Sequence, residues 1–323
     1  MSAHSNKLKQ NKDRYHYYFR EMKMMKRYEK DAIKAAKKMF GDAFSMIPNY
    51  MCPPVLEGFK YVEGTWNDGF VIENIFYKSR FVWIPVGSLN ANGTLDGKNF
   101  NQRFGRRNFE GDDFSETGYH DAETREVKLQ QQSIIEYGGF YAGQCETSCR
   151  GIQGIGRSIK GAYPIKCVTY ECAERIASQV AVGNNCSSHV LTGAEYDAML
   201  QWLIQSKAKT LDEIVGDSRS WGNYSIAREK TGSNENYAAN RICDLAGGNL
   251  EWTQEMFGKN HRVFRGGNYG INAPVSHRSH DISAYSNGGC AVRVALYIPI
   301  AQEVKEDSNE RQWGVPGLAY NAA

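Results

Sequence analysis

No apolar run in this 323-residue chain approaches the ~20 residues needed to cross a bilayer. The longest, Ala291 to Ile300, is short and carries Arg293. The opening MSAHSNKLKQNKDRY lacks the apolar core of a signal peptide, so synthesis and folding in a cytoplasm are expected. No Cys-x-x-Cys pair occurs among the eight cysteines, and Cys145/Cys149 and Cys167/Cys172 have the wrong spacing for zinc. Without an export signal, buried thiols are expected rather than a disulfide framework. Internal repeats, a Walker loop, a Gly-x-Gly-x-x-Gly turn and a His-Glu-x-x-His helix are also missing, which removes the commonest nucleotide and zinc-hydrolase readings. Charge of one sign is not in large excess either. With 39 Lys+Arg against 36 Asp+Glu and 41% hydrophobic residues, wholesale disorder is excluded.

What is present is uneven. Glycine (32 residues) and aromatics (12%) are plentiful, which suits a loop-rich fold with broad surfaces better than a helical bundle. Residues 1–40 hold twelve basic and four acidic side chains, so they carry +8 and leave −5 to the rest. In that stretch Tyr15, Tyr18, Met22, Met25, Ala32, Ala36 and Met39 recur at three- and four-residue steps, with Glu29 on the same stripe. The spacing predicts a long basic amphipathic helix, within a segment 1–47, that packs on itself, oligomerises or docks on an acidic partner. A homotrimer is the preferred assembly, and neither nucleic-acid binding nor membrane insertion is expected. Gly41, Pro48, Pro53 and Pro54 end the helix and open a linker.

Segment 48–78 reads as that linker followed by a hairpin, KYVEGTWNDGFVIEN, turned at Asn67-Asp68-Gly69. FVWIPV (81–86) reads as a buried strand whose Pro85 marks an edge or bulge. Residues 87–127 are polar and aperiodic, an insertion of the kind that is functional or mobile. Gly139-Phe140-Tyr141 opens a further strand. Cys167–Gln179 and Thr192–Lys207 read as helices, the second capped by Thr192 with Glu195 as its capping-box partner. From Leu211 onward short strands and turns return, and a tail occupies 299–323.

Seven segments between about 79 and 298 resemble, in order, the formylglycine-generating enzyme (sulfatase-modifying factor) family. They are FVWIPVG, GGFYAGQCETS with Glu146, PIKCVTYECAERIA, VLTGAEYDAML, DLAGGNLEWTQE, RVFRGGNYG and GGCAVRVAL. The resemblance implies an α+β, C-type lectin-like fold, a variant of the formylglycine-generating-enzyme kind. That family holds copper(I) on two closely spaced cysteines before the closing segment. The corresponding stretch here, NAPVSHRSHDISAYSNGG (272–289), contains none, Val292 replaces the expected phenylalanine, and Cys290 stands alone. Nitrogen ligands at His277 and His280 would be needed for the rival enzymatic readings, a divergent oxidase or a non-haem-iron sulfoxide synthase.

The stretch RGGNYGINAPVSHRSHDISAYSNGGCAVR resembles instead the variable region of phage receptor-binding proteins diversified by retroelements. That resemblance implies a non-enzymatic display region (262–298) on a phage or prophage tail. Its partners would be a bacterial surface protein or glycan and, through the N-terminal helix, other tail proteins; its location would be the virion. A purely structural tail role is the third alternative. The residues implied to face a ligand are Asn268, Tyr269, Asn272, Ser276, His277, Ser279, His280, Asp281, Ser283, Tyr285, Ser286 and Asn287. Such types combine rigid amphipathic area with adaptable hydrogen bonding. Trp221 and Tyr224, in GDSRSWGNYS, either border that face or belong to the core. No cofactor is required by this reading. By resemblance, Asp244 and Glu251, with backbone oxygens at Gly247 and Asn249, occupy calcium-site positions, and a ligand-free role is the alternative. Trp252 is expected in the core, Gly266 and Gly267 at a close backbone approach or a positive φ, and Arg265 and Arg293 in ion pairs with Glu251 or Glu255.

Overall fold

Successive side chains of a strand point to opposite sides, so an all-apolar run such as FVWIPV needs cover on both faces. The structure, a computed structural model, provides it. It describes residues 53–64, 68–86, 104–109, 118–122, 124–149, 154–181, 186–225, 229–268, 270, 272–284 and 289–298. The expected N-terminal helix and the C-terminal tail lie outside these residues.

The main sheet is antiparallel throughout and contains β1 (Phe59–Glu63), β2 (Val71–Asn74), β3 (Arg80–Pro85), β5 (Gly139–Gly143), β15 (Val294–Tyr297) and β8 (Ser187–Val190), in that spatial order. On one face Val82, Ile84, Phe140, Ala142 and Ala295 join a core with Tyr196, Met199, Leu200 and Leu203. On the other, Phe81, Trp83, Tyr141 and Leu296 join Ala173, Ile176, Trp252 and Phe264. The hairpin that the sequence suggested lay ahead of the domain is part of this sheet, because Val71 pairs with Val82 and Ile72 with Phe81. The β2 pairing stops at Val82, so Pro85 lies beyond it, on an end of the strand that pairs with β5, opposite Gly139.

Among the described residues four α-helices frame the sheets. The first, α1 (Arg125–Tyr137), begins at Thr124, whose side chain accepts the Val127 N–H, and ends at Gly138 with φ +74°. It occupies residues for which the sequence predicts no helix, since QQQSIIEY has little apolar periodicity. The next two match the expected helices: α2 (Tyr170–Ala177) behind the Thr169 cap, and α3 (Gly193–Gln205) behind Thr192 with both capping-box hydrogen bonds to Glu195. A short α4 (Leu211–Val215) repeats the box with Thr210 and Glu213. Among the described residues no helix is long and apolar enough to cross a membrane.

The second sheet runs β13 (Arg278–Ile282), β12 (His261–Arg265), β11 (Leu250–Phe257), β14 (Cys290–Val292), and β4 (Tyr119–Asp121) also pairs with β11. The β11–β14 pair is parallel and the rest are antiparallel. Two small ladders, β6 (Thr147–Ser148) with β7 (Arg157–Ser158) and β9 (Ala238–Ala239) with β10 (Ile242–Cys243), complete an α+β architecture dominated by strands.

A single residue, Arg293, separates β14 of the second sheet from β15 of the first. Its guanidinium is fully buried and all its N–H groups are used. Nε and Nη2 donate to Glu251, the shortest contact being 2.7 Å, Nη1 to the Gly143 and Gln144 carbonyls, and Nη2 to the Cys243 carbonyl at 2.9 Å. The expected partner is thus found, with three backbone oxygens added. Arg293→Met leaves Glu251 charged and unpaired in the core, and is expected to cost about 3–5 kcal/mol of unfolding free energy. Arg293→Lys, with a point charge in place of a planar fork, should fall between it and the wild type in urea unfolding.

Candidate ligand-binding face

The expected display region is not one exposed loop. Residues 278–282 form the outer strand β13, paired along its length with β12 from Arg265↔Arg278 to His261↔Ile282. Alternation sends Arg278, His280 and Ile282 to one face of the sheet and Ser279 and Asp281 to the other. Ile282 is 51% exposed, while Ser279, His280 and Asp281 are half-buried.

The strand leans on a buried charge network. Asp197 of α3 accepts from Arg265 at 2.7 Å, from Arg278, and from the backbone N–H of Arg107 at 2.7 Å. Glu255 of β11 accepts from Arg278 at 3.1 Å and Arg106 at 3.1 Å, with Arg265 at 3.7 Å. Arg265 also lies over the Tyr196 ring, 4.4 Å from its centroid. Two carboxylates and three guanidinium groups therefore hold α3, three strands and residues 104–109 together, so at least this part of the 87–127 insertion is anchored to the core. Beside the network Asp121 caps α3, accepting the N–H groups of Gly193 and Ala194 at 2.8 and 3.1 Å. Burial, then the charge of Glu255, push its pKa up to about 7.

At the other end of the same face, His280 stacks on Phe257 with centroids 3.8 Å apart and lies 5.1 Å from His261, with Tyr119 edge-on at 5.9 Å. Burial, and then the neighbouring His261, lower the His280 pKa. The sequence reading missed Tyr119, Phe257 and His261. Gly258-Lys259-Asn260 between two alternating runs is a turn signal that would have set Phe257 opposite His261. Tyr119 offered no local signal.

Several expected ligand-facing residues instead support the scaffold. Asn268 is 5% exposed and its Oδ1 accepts the Gly270 N–H at 2.8 Å; Ser276 is 7% exposed. Trp221 is core, 3% exposed, with Nε1 donating to the Glu213 carbonyl. The Tyr224 hydroxyl donates to the Ala273 carbonyl at 2.7 Å, and Ser218 Oγ accepts the Val275 N–H at 2.9 Å, so both fasten the loop before β13. The backbone oxygen of His277 takes the N–H of Gly266 and Nε of Arg265, both at 3.2 Å. Gly266 has φ +76°, and a Cβ there would sit 3.2 Å from the Tyr196 hydroxyl, as the expected close approach requires. Asn272 is exposed, and Ser283 is half-buried and hydrogen-bonded to Glu171. Tyr269, Tyr285, Ser286 and Asn287 lie outside the described residues.

The positions implied for calcium do not fit a cation. Glu251 faces Arg293 with both oxygens. Asp244 accepts from Thr231 Oγ1 at 2.9 Å, the Gly232 N–H at 2.7 Å and Asn223 Nδ2 at 3.3 Å. Asn249 donates its backbone and side-chain N–H groups to Glu146, both at 2.9 Å, and Gly247 has φ +76° in the turn between them. The positive charge for this acidic group comes from Arg293, and among the described residues no group of three or more His, Cys, Asp or Glu is arranged to hold a metal. Burial, followed by the charges of Asp244 and Glu251, pushes Glu146 up to about 8.

No family model matches the chain, and no curated protein matches it. Among solved structures it is similar to PvdO from Pseudomonas aeruginosa, with TM-score 0.42 and 14% identity over 70% of this chain and 97% of that one. It is also similar to variable protein 1 of Treponema denticola, with TM-score 0.40 and 11% identity over 76% of this chain and 99% of that one. At such scores neither likeness carries an argument about function.

Glu146 gives a pH test. Its carboxyl binds a proton more tightly folded (about 8) than unfolded (near 4.5), so stability from this group is full below pH 4.5 and is lost as pH rises through 8. Glu146→Gln keeps an acceptor for Asn249 and removes the titration. Its unfolding free energy, measured by urea, should gain on the wild type between pH 5 and pH 8 and level off above that; an unchanged difference would contradict the assignment.

Proposed function

We propose that the chain is a receptor-binding protein of a phage or prophage tail, in which a C-type lectin-like domain presents β13 and its flanking turns to a bacterial surface protein or glycan. In this reading the presented residues are diversified by a retroelement, the basic segment 1–47 assembles the chain as a homotrimer or docks it to other tail proteins, and no catalysis or bound cofactor is involved. The observation that supports the reading most is the outer strand itself. Its root is fastened by Arg278 to Asp197 and Glu255, while Ser279, His280, Asp281 and Ile282 remain at least partly accessible, His280 against the Tyr119–Phe257–His261 cluster. Side chains on a rigid strand meet a partner with little loss of conformational entropy, which is where binding surfaces gain specificity.

Binding of fluorescently labelled protein to intact bacterial cells, measured by flow cytometry across candidate hosts, tests the reading. Against a host that binds the wild type, His280→Ala/Ile282→Ala should lose roughly tenfold or more in apparent affinity, about 1.4 kcal/mol, with little change in melting temperature. Unaltered binding by a folded double variant would place the contact surface elsewhere.

A further inference from the structure

Cys145 follows β5 and Cys243 ends β10, far apart in sequence, yet they share one buried pocket. The Cys243 N–H donates to the carbonyl of Gln144, the residue before Cys145, at 2.8 Å. This hydrogen bond sets the two cysteine-bearing segments side by side, as a disulfide, with Cα atoms roughly 4.4–6.8 Å apart, requires. The sulfurs converge on Gly232: a Cβ built there would lie 3.1 Å from the Cys243 Sγ and 3.3 Å from the Cys145 Sγ. With φ +67°, Gly232 is the residue that leaves this space open. The Arg293 fork already binds the carbonyls of Gly143, Gln144 and Cys243, so both cysteine-bearing segments are held by one side chain.

We propose that Cys145 and Cys243 are a redox pair, dithiol in a reducing compartment and disulfide-bonded on exposure to a disulfide oxidant. The oxidant is a low-molecular-weight disulfide such as oxidised glutathione. One protein thiolate attacks a sulfur of the oxidant, forming a mixed disulfide and releasing one glutathione thiolate. The second protein thiolate attacks the protein sulfur of that mixed disulfide and releases the other. The protein loses two electrons and two protons, and the oxidant becomes two thiols. The cross-link closes a loop of about 100 residues, the long-loop case in which an unfolded chain is restricted most. It would staple the segments that Arg293 joins non-covalently. The seven described cysteines are unbridged; Cys145, Cys186, Cys243 and Cys290 are buried as expected, whereas Cys167 is exposed and Cys149 and Cys172 are half-buried, and Cys149/Cys172 and Cys167/Cys290 are also near neighbours. Neither of those pairs shares a glycine-opened pocket.

The test equilibrates the full chain with reduced or oxidised glutathione, blocks free thiols with N-ethylmaleimide under denaturing conditions, and maps peptides by mass. The expected result is a Cys145–Cys243 peptide pair, lighter by two hydrogens, in the oxidised sample alone, with a melting midpoint several degrees above that of the reduced protein. Cys145→Ala should abolish both the cross-link and the rise, and Cys243→Ala should do the same. The mass readout on the wild-type chain stands whether or not either variant folds. Full alkylation of both residues after oxidation would overturn the proposal, as would a cross-link from either to another cysteine, or a rise that persists in Cys145→Ala.

Discussion

The buried guanidinium of Arg293 is the constraint on which the rest of the structure depends. The chain passes from the second sheet to the main sheet within one residue, and that residue carries a charge into the core. Burying a charge is costly unless every polar group around it is matched. Here Glu251 supplies the counter-charge, while carbonyls that end β5 and β10 take the remaining donors. A lysine could not meet that planar arrangement, and a cation at the acidic positions would compete with it. Burial, and then the charges of Asp244 and Glu251, push the Glu146 carboxyl up to about 8 against the opposing pull of Arg293.

A second charged junction does comparable work under the candidate face. Asp197 and Glu255 each bind more than one arginine, drawn from strands β12 and β13 and from residues 104–109. Because these links are buried and multivalent, they fix the position of β13 without using the outward side chains of its far end. The loop before the strand is held through main-chain atoms, by Tyr224 at Ala273, Ser218 at Val275 and Ile214 at Ser276. A surface built this way separates residues that set geometry from residues that are open to change. That separation is what a protein needs if it must alter its contacts while keeping its fold.

The parts of this organisation that were legible in the sequence have local signatures. Thr192 and Glu195 announced the start of α3, FVWIPV announced a strand covered on both sides, and Gly266 announced a position needing a positive φ. The arginines were expected in ion pairs with Glu251 or Glu255, and Asp197 was not foreseen. It sits in a helix whose apolar neighbours gave the only pattern, and its partners arrive from distant strands. Asn268 was expected at the surface and is buried, while Trp221, left open between surface and core, is core. Polar or aromatic residues in a glycine-rich stretch look like surface, but backbone donors and carbonyls inside the fold can satisfy them just as well. Tyr119 and α1 lay in or next to a stretch without periodicity, where only long-range pairing decides the structure.

The central claim is that scaffold and display positions are distinct within one short stretch of chain. Saturation mutagenesis of residues 268–284 in the full-length protein, scored for folded yield by resistance to proteolysis, measures this directly. The account predicts that most substitutions at Asn268, Ser276 and Arg278 reduce folded protein strongly, whereas most at Asn272, Ser279, His280 and Asp281 stay within about 0.5 kcal/mol of the wild type. Uniform tolerance across the stretch, or intolerance at the positions assigned to display, would contradict it.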